Sequence, residues 1–213
     1  FSSLALCEEK QGIRVSLGSA EGTFSFVGRT GASLSGDFGN DLSGEAFSVS
    51  YIKTDENNNI FGGGFSSYTV SGPRTKIAYY VSSRVGSSGY DIFVTVKEFS
   101  TRVWFGLIGF NVEIYDKASF QPNIRVGSKS VNAQWTHEFE WKNDLGLITL
   151  GEYNESSSGI SFDIDLPFVY KINESFGVGA NLCVCNSNYE LNTGAESYKF
   201  VSSNIFNILV DFY

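Results

Sequence analysis

Residues 160–172 carry an apolar side chain at every even position, and this period of two limits the folds that are open to the chain. The even positions are apolar without a break, whereas the odd positions include Asp163, Asp165 and Lys171. A period of two places successive side chains on opposite faces of a β-strand. Strands in soluble proteins are usually only five or six residues long. The segment therefore predicts an unusually long strand with one uninterrupted apolar face.

The same period recurs along most of the chain. Thirteen residues at about 3.3 Å each, tilted by roughly 40°, rise about 30 Å along a barrel axis. That rise covers the apolar band, about 25 Å tall, of a β-barrel that crosses a membrane. Residues 102–114 are apolar on both faces and are expected to be packed on both sides. Further alternating segments cover residues 13–17, 47–51, 90–96, 131–141 and 176–184.

Composition supports an all-β chain and excludes two classes of protein. Only 18% of the 213 residues are charged and 15% are aromatic, which argues against an intrinsically disordered chain. A net charge of −8 without any cluster of Lys or Arg argues against nucleic acid as a partner. No linker or change in composition divides the chain. We therefore expect one domain over residues 1–213, with residues 1–10 as a candidate periplasmic N-terminal extension.

Alternation alone also describes a soluble β-sandwich, which buries its apolar face against a second sheet. Two features favour a membrane barrel. The polar faces carry mostly small or uncharged residues, and aromatic residues collect near the strand ends, where an interfacial girdle belongs. A soluble sandwich or barrel with a binding or adhesion role stays open as the alternative. The candidate girdle residues are Trp135, Trp141, Tyr153, Tyr170, Phe176, Tyr198, Phe212 and Tyr213.

The lengths of the polar connections predict the topology. Short and long connections alternate along the chain, as in barrels with short turns at one rim and longer loops at the other. The pattern predicts a single antiparallel up-and-down transmembrane β-barrel of about 12 strands, with 10 to 14 open. The predicted connections lie at residues 39–43, 54–59, 71–74, 84–89, 100–101, 115–122, 142–144, 154–159, 171–175 and 190–197.

Two segments resemble a known class of protein. Residues 204–213 end in alternating apolar residues and an aromatic terminus, similar to the terminal strand of bacterial outer-membrane β-barrel proteins. Residues 166–180 resemble the periplasmic hairpins of small porin-like members. The resemblance implies export across the inner membrane and insertion by the barrel-assembly machinery. It also implies a location in the outer membrane with the lipid bilayer as partner, and it leaves the oligomeric state open.

The phase of the alternation predicts which charged side chains line the lumen. Such a set could form an ion-pair network that closes a narrow barrel, or it could line a polar pore. Acidic members slightly outnumber basic members, so any pore is expected to prefer cations modestly. The predicted lumen-lining residues are Arg14, Lys76, Asp91, Lys97, Glu138, Glu140, Asp163, Asp165 and Lys171.

Candidate catalytic residues are few. His137 is the only histidine, and its phase predicts that it points towards lipid, away from any Ser or Asp partner. The pair Asp163 and Asp165 is then more simply explained as hydrated lumen carboxylates. Cys183 and Cys185 share a strand face, but a zinc site would need two more ligands.

We therefore expect no enzyme, no cofactor and no metal. The predicted function is a porin-like passive channel for small solutes or ions, or a structural envelope protein. A barrel lipid hydrolase is less favoured.

Overall fold

The computed structural model describes residues 10–27, 39–81, 89–141, 147–192 and 197–213. This part of the chain contains no helix that could cross a membrane. It forms strands and short turns only. The strands are β1 (Lys10–Val27), β2 (Gly39–Thr54), β3 (Asn59–Ser71), β4 (Thr75–Val81), β5 (Gly89–Phe110), β6 (Val112–Tyr115), β7 (Ala118–Phe120), β8 (Asn123–Trp141), β9 (Leu147–Asn173), β10 (Phe176–Asn192) and β11 (Ser197–Phe212).

The strands close into a ring. Antiparallel pairing runs in the order β1, β2, β3, β5, β8, β9, β10 and β11, and β11 pairs back onto β1. β4 continues the line of β3 along β5, and the short β6–β7 hairpin adds to the edge of β9. The described residues thus form a single all-β, up-and-down antiparallel barrel, as predicted. A closed ring is not the two-layer sandwich of the alternative interpretation.

The described residues form eleven strands, within the predicted range of 10 to 14, but only eight of them form the ring, because β4 and the β6–β7 hairpin extend neighbouring strands. Residues 100–101 and 154–159 were predicted to be connections, but they lie within β5 and β9, which are 22 and 27 residues long. Residues 72–74 separate β3 from β4, within the predicted connection at 71–74, whereas residues 39–43 lie in β2. The predicted connection at 142–144 lies outside the described residues, as do parts of those at 84–89 and 190–197. The turns at residues 55–58 and 174–175 were predicted correctly.

Both ends of the described chain lie at one end of the barrel, here called the terminal end. Lys10 of β1 pairs with Thr54 of β2, and Phe212 of β11 pairs with Ile13. The turns at residues 55–58 and 174–175 and the β6–β7 hairpin connect strands at this same end. The opposite end is here called the loop end. The turns at the terminal end are short, as at the periplasmic rim of the outer-membrane barrels that the sequence resembles.

A belt of exposed apolar side chains surrounds the terminal half of the barrel. Trp104, Ile160 and Ile208 are 69%, 80% and 72% exposed. Exposed apolar area of this extent, continuous around a ring, requires a nonaqueous environment. All eight ring strands contribute to this belt, which comprises Ile13, Leu17, Phe47, Tyr51, Phe61, Trp104, Ile108, Phe110, Ile124, Val126, Ile160, Phe162, Ile164, Phe168, Tyr170, Ile172, Val184, Phe206, Ile208 and Phe212.

The polarity of the barrel inverts beyond the belt. On the outer face, Glu45 follows Phe47, Arg102 follows Trp104 and Ser158 follows Ile160 towards the loop end. The inner face becomes apolar at the same level. Its buried cluster includes Ala20, Phe24, Leu42, Ala46, Tyr68, Val70, Ile92, Val94, Val96, Phe99, Val131, Ala133, Trp135 and Ile205. The strands therefore leave the membrane and continue as a barrel with a dry interior and a wet surface.

Candidate functional site

A buried ion pair occupies the interior near the terminal end. Arg14 of β1 and Asp211 of β11 are 4% and 0% exposed. Arg14 Nε donates a hydrogen bond to Asp211 Oδ1, and Arg14 Nη2 donates one to Asp211 Oδ2. Each donor–acceptor distance is 2.7 Å. Alternation brings the two residues inward, because each is flanked in sequence by belt or outer-face apolar residues. The pair is bidentate, with two parallel hydrogen bonds between the guanidinium and the carboxylate, and this is the strong form of a charge-assisted interaction.

Gln121 connects this ion pair to the chain at the barrel mouth. Its Oε1 accepts a hydrogen bond from Arg14 Nη2 over 2.6 Å. Its Nε2 donates to Asn111 Oδ1 at a distance of 3.0 Å and to Ser119 Oγ at a distance of 3.1 Å. The Tyr213 hydroxyl donates to Asp211 Oδ2 over 3.3 Å. The segment around the β6–β7 hairpin is thus hydrogen-bonded to the interior ion pair at the terminal mouth.

A second buried ion pair lies deeper in the barrel. Arg125 of β8 pairs with Asp165 of β9, and its guanidinium lies 4.4 Å from the centre of the Phe105 ring. Asn181 Nδ2 donates to Asp165 Oδ1 over 3.1 Å. Asp165 is therefore held by a cation and by an amide at once, as buried charges require.

Asp163 and two cysteines border this second pair. Ser161 Oγ donates to Asp163 Oδ2 over 2.7 Å. The sulfur atoms of Cys183 and Cys185 are 3.5 Å apart on the inner face of β10, and both thiols are free. No group of three His, Cys, Asp or Glu side chains in the described part of the chain could hold a metal ion.

Side chains fill the interior around these groups. The cavity beside Arg125, Asp163 and Cys185 has a volume of about 10 Å³, room for about one water molecule. A ring of eight strands is just wide enough for side chains to fill or for one small ligand, and here buried side chains of the described residues occupy it. An apolar cluster takes up the remaining space on the other side, formed by Ile52, Ile60, Val103, Phe105 and Leu107.

The predicted lumen-lining residues divide into two groups. Arg14, Asp163 and Asp165 are buried in the interior cluster. Lys171 is half-buried at the terminal mouth, where it lines a cavity of about 90 Å³ together with Lys10 and Lys117.

The other five predicted residues are Lys76, Asp91, Lys97, Glu138 and Glu140. They lie on the outer face beyond the belt, so the prediction that they face the lumen was wrong. Phe93 and Glu138 are register partners on this face, and the guanidinium of Arg74 covers the Phe93 ring at 3.5 Å. The physical reason is the inversion of polarity, because beyond the belt the apolar face points inward. The exposed pairs are Lys76 with Asp91 at 2.7 Å, Lys97 with Glu152 at 2.5 Å, and Arg74 with Glu138 at 2.7 Å and Glu140 at 3.2 Å. Hydrogen bonds to Glu138 and then Glu140 raise the pKa of Arg74.

His137 also differs from its predicted orientation. It is 1% exposed and faces the interior, as does Trp135, which stacks on Tyr153 with ring centres 5.2 Å apart. Asp163 pairs in register with Arg125, which lies twelve residues before His137 on β8. That separation is about 40 Å along the strand. The described structure therefore does not bring the histidine and the acidic pair together.

Sequence reasoning missed several members of the interior cluster, among them Arg125, Asn181 and Asp211. Each of these three is the polar member of an alternating segment, with belt residues or partly buried apolar residues as neighbours. The same period-two rule that selected Asp163 identifies Asn181 within residues 176–184 and Asp211 within residues 204–213, and it identifies Arg125 once the alternation of β8 is extended towards its start.

Comparison with known proteins gives structural neighbours only. No protein-family model matches the sequence, and no curated protein matches it. Ail, the attachment invasion locus protein of Yersinia pestis, is 12% identical, and the match covers 95% of this chain and 99% of that one with a TM-score of 0.42. Neisserial surface protein A is 9% identical, with 97% and 99% covered and a TM-score of 0.42. The outer membrane protease OmpT of Escherichia coli is 7% identical, with 99% and 100% covered and a TM-score of 0.36.

The closed antiparallel ring and its apolar belt define the class of protein. The chain folds as an outer-membrane β-barrel, with the lipid bilayer as its environment. This is the class that the terminal strand resembles.

Proposed function

We propose that this chain is a non-conducting surface protein of the outer membrane. The belt anchors the barrel in the bilayer, and the strands beyond the belt present a polar surface outside the cell. Of the two roles that the sequence leaves open, this is the structural envelope protein rather than the passive channel. The observation that carries the proposal is the filled interior of an eight-strand ring.

Two different seals lie in series along the interior. The first is polar and consists of the Arg14–Asp211 and Arg125–Asp165 pairs near the terminal end. The second is apolar and includes Phe24, Phe99 and Trp135 near the loop end, each 1% exposed. Ions would have to pass an apolar segment after a cluster of buried ion pairs, and both steps are costly. Among the described residues, the cation preference expected of a pore therefore has no open path on which to act.

The length of the strands supports an external role. In β9 the belt ends at Ile160, and the strand extends back to Leu147 at the loop end. Thirteen further residues at about 3.3 Å each and a tilt of about 40° add roughly 30 Å beyond the belt. An anchor alone would not need this extension. Its exposed ion pairs are typical of a surface in water.

We also propose that the barrel is not an enzyme. His137 is enclosed in the apolar seal, about 40 Å along the strand from the level of the acidic pair. Insertion by the barrel-assembly machinery follows from the terminal-strand resemblance and remains part of the proposal. The oligomeric state stays open.

Conductance in a planar lipid bilayer tests the closed interior. The purified chain, refolded in detergent and shown to be heat-modifiable on a gel, is added to the bilayer beside a general porin as positive control. We expect no current steps from this chain at a protein concentration at which the porin inserts readily. Regular current steps would restore the passive channel, and reversal potentials in a salt gradient would then test its expected cation preference.

A further inference from the structure

Arg102 lies where the outer face of β5 leaves the apolar belt. Trp104, two residues towards the terminal end on the same face, is 69% exposed, and its ring lies 4.9 Å from that of Phe65. Arg102 is exposed and pairs in register with Ser67 of β3 and Ser130 of β8. The aromatic pair of Phe65 and Trp104 lies at the margin of the belt, where the interface of a bilayer begins. Arg102 lies one step further from the belt, at the level expected for lipid phosphates.

Arg102 differs from the other described arginine on the outer face. Arg74 is held by two carboxylates, at 2.7 Å from Glu138 and 3.2 Å from Glu140. Arg102 forms no ion pair with any carboxylate among the described residues. Glu98, on the same face of β5, is four residues away, about 13 Å along the strand. The guanidinium of Arg102 therefore keeps its hydrogen-bond donors available for an anion.

The surface beside Arg102 is rich in hydroxyl and amide groups. Ser130 of β8 is opposite Ser158 of β9, and Asn132 is opposite Ser156. These outward side chains have few charges among them, and both donors and acceptors are present. Such a surface suits the hydroxyl groups of sugars. The headgroup face is defined as Arg102 with Ser67, Thr69, Ser130, Asn132, Ser156 and Ser158.

The headgroup face is confined to one side of the barrel. Beyond the belt, the outer face of β1 and β2 carries Glu21, Asp41 and Glu45, and Glu45 pairs in register with Thr69 at the edge of the headgroup face. Carboxylates repel an anion, so a phosphate is expected to bind beside Arg102 and not on the β1–β2 side. Charge complementarity and continuity with the belt thus select the same location.

We propose that the headgroup face binds the phosphorylated sugar headgroup of a glycolipid in the outer leaflet. Arg102 would contact the phosphate, the hydroxyl and amide groups would contact the sugars, and the acyl chains would lie along the belt below Trp104. This inference rests on the proposed placement of the barrel, with its loop end outside the cell. It does not depend on whether the interior conducts ions, because the headgroup face lies on the outside.

Lipid binding by native mass spectrometry tests the proposal. The folded chain in a neutral detergent is titrated with a bis-phosphorylated, acylated glucosamine disaccharide, with the same glycolipid lacking phosphate, and with phosphatidylglycerol. The variants are Arg102→Gln and, as the matched control, Arg74→Gln, which removes the same charge from the same outer surface. An exposed charge pair is worth up to about 1 kcal/mol, which corresponds to a change in affinity of up to about fivefold.

We expect the bis-phosphorylated glycolipid to bind about three- to fivefold more tightly than the other two lipids. Arg102→Gln should abolish that preference, and Arg74→Gln should preserve it. Equal loss in both variants would reduce the effect to net charge and overturn the site. Equal binding of phosphatidylglycerol would overturn the role of the sugar, and full competition by millimolar inorganic phosphate would identify a site for free anions instead. The conductance measurement separates these outcomes from failure of the proposed surface role.

Discussion

At the scale of single residues, the barrel interior depends on the buried pair Arg14 and Asp211. Both side chains are excluded from water, and Gln121 satisfies a further donor of the guanidinium. Removing one partner of a buried pair leaves the other charge without compensation, whereas replacing both with apolar groups is often nearly neutral. The pair therefore contributes more to the specificity of the interior than to its net stability.

This difference gives a testable prediction. Arg14→Ala is expected to lower the free energy of unfolding by about 3–5 kcal/mol, and the double variant Arg14→Met with Asp211→Leu by much less. Urea unfolding in detergent, followed by tryptophan fluorescence, measures both values. Arg74→Gln is the control, because its exposed pairs should contribute less than about 1 kcal/mol. Equal losses for Arg14→Ala and the double variant would contradict the account of the buried pair.

At the scale of the strand, most of β9 was predictable and its continuation was not. The alternation over residues 160–172 identified a membrane-crossing strand, and Phe162 and Phe168 are both 46% exposed on the belt, as expected. The Ser-rich residues 154–159 resembled a loop because polar side chains were assumed to end a membrane strand. In the structure they continue β9, because the outer face is in water once it passes Ile160.

The predicted phase of β8 failed for the same physical reason. Trp135 and His137 were assigned to lipid because apolar faces point outward within a membrane. Beyond the belt the apolar face points inward, as in a soluble barrel, so the same alternation has the opposite orientation. The alternation of apolar and polar residues can be recognised in the sequence. The position along each strand at which the membrane ends cannot, because it depends on the register of the neighbouring strands. This explains why Glu138 and Glu140 were misplaced, whereas Asp163 was placed in the interior.

The turn between β2 and β3 gives a prediction of pH dependence. Asp55 Oδ2 accepts a hydrogen bond from Asn59 Nδ2 at a distance of 2.9 Å. Asp55 Oδ1 accepts hydrogen bonds from the backbone N–H groups of Asn59, at 2.8 Å, and of Asn57, at 2.9 Å. These bonds, that of the Asn59 side chain first, lower the pKa of Asp55. A lowered folded-state pKa gives stability that is present above the unfolded pKa and lost as the pH falls through the folded one.

The variant Asp55→Asn keeps the shape of the side chain and removes its charge. Its deficit in stability relative to the native chain is expected at neutral pH and should shrink as the pH falls below the usual range of carboxyl groups. Denaturant unfolding in detergent at a series of pH values measures the difference. Glu56→Gln makes the same charge change one residue along the turn and should leave the profile unchanged. A deficit for Asp55→Asn that is constant with pH would refute this assignment.

At the scale of the whole molecule, the central feature is one ring with two environments. Near the terminal end the barrel is apolar outside and holds buried ion pairs beside a small apolar cluster inside, and near the loop end it is polar outside and mainly apolar inside. A single closed sheet can hold both arrangements, because antiparallel pairing around the ring supplies backbone hydrogen bonds to the described strands in lipid and in water alike. The surface role and the proposed headgroup face both depend on where this inversion occurs.

Spin labels along the outer face of β9 test that inversion most directly. Single cysteines replace Glu152, Asn154, Ser156, Ser158, Ile160, Phe162 and Ile164 in turn, in a background with Cys7→Ser, Cys183→Ser and Cys185→Ser. In lipid vesicles, we expect a water-soluble nickel reagent to relax the labels at 152–158 and oxygen dissolved in lipid to relax those at 160–164, with one crossover between 158 and 160. Labels shielded from both reagents at 160–164, or accessible to nickel along the whole series, would contradict a belt in contact with lipid.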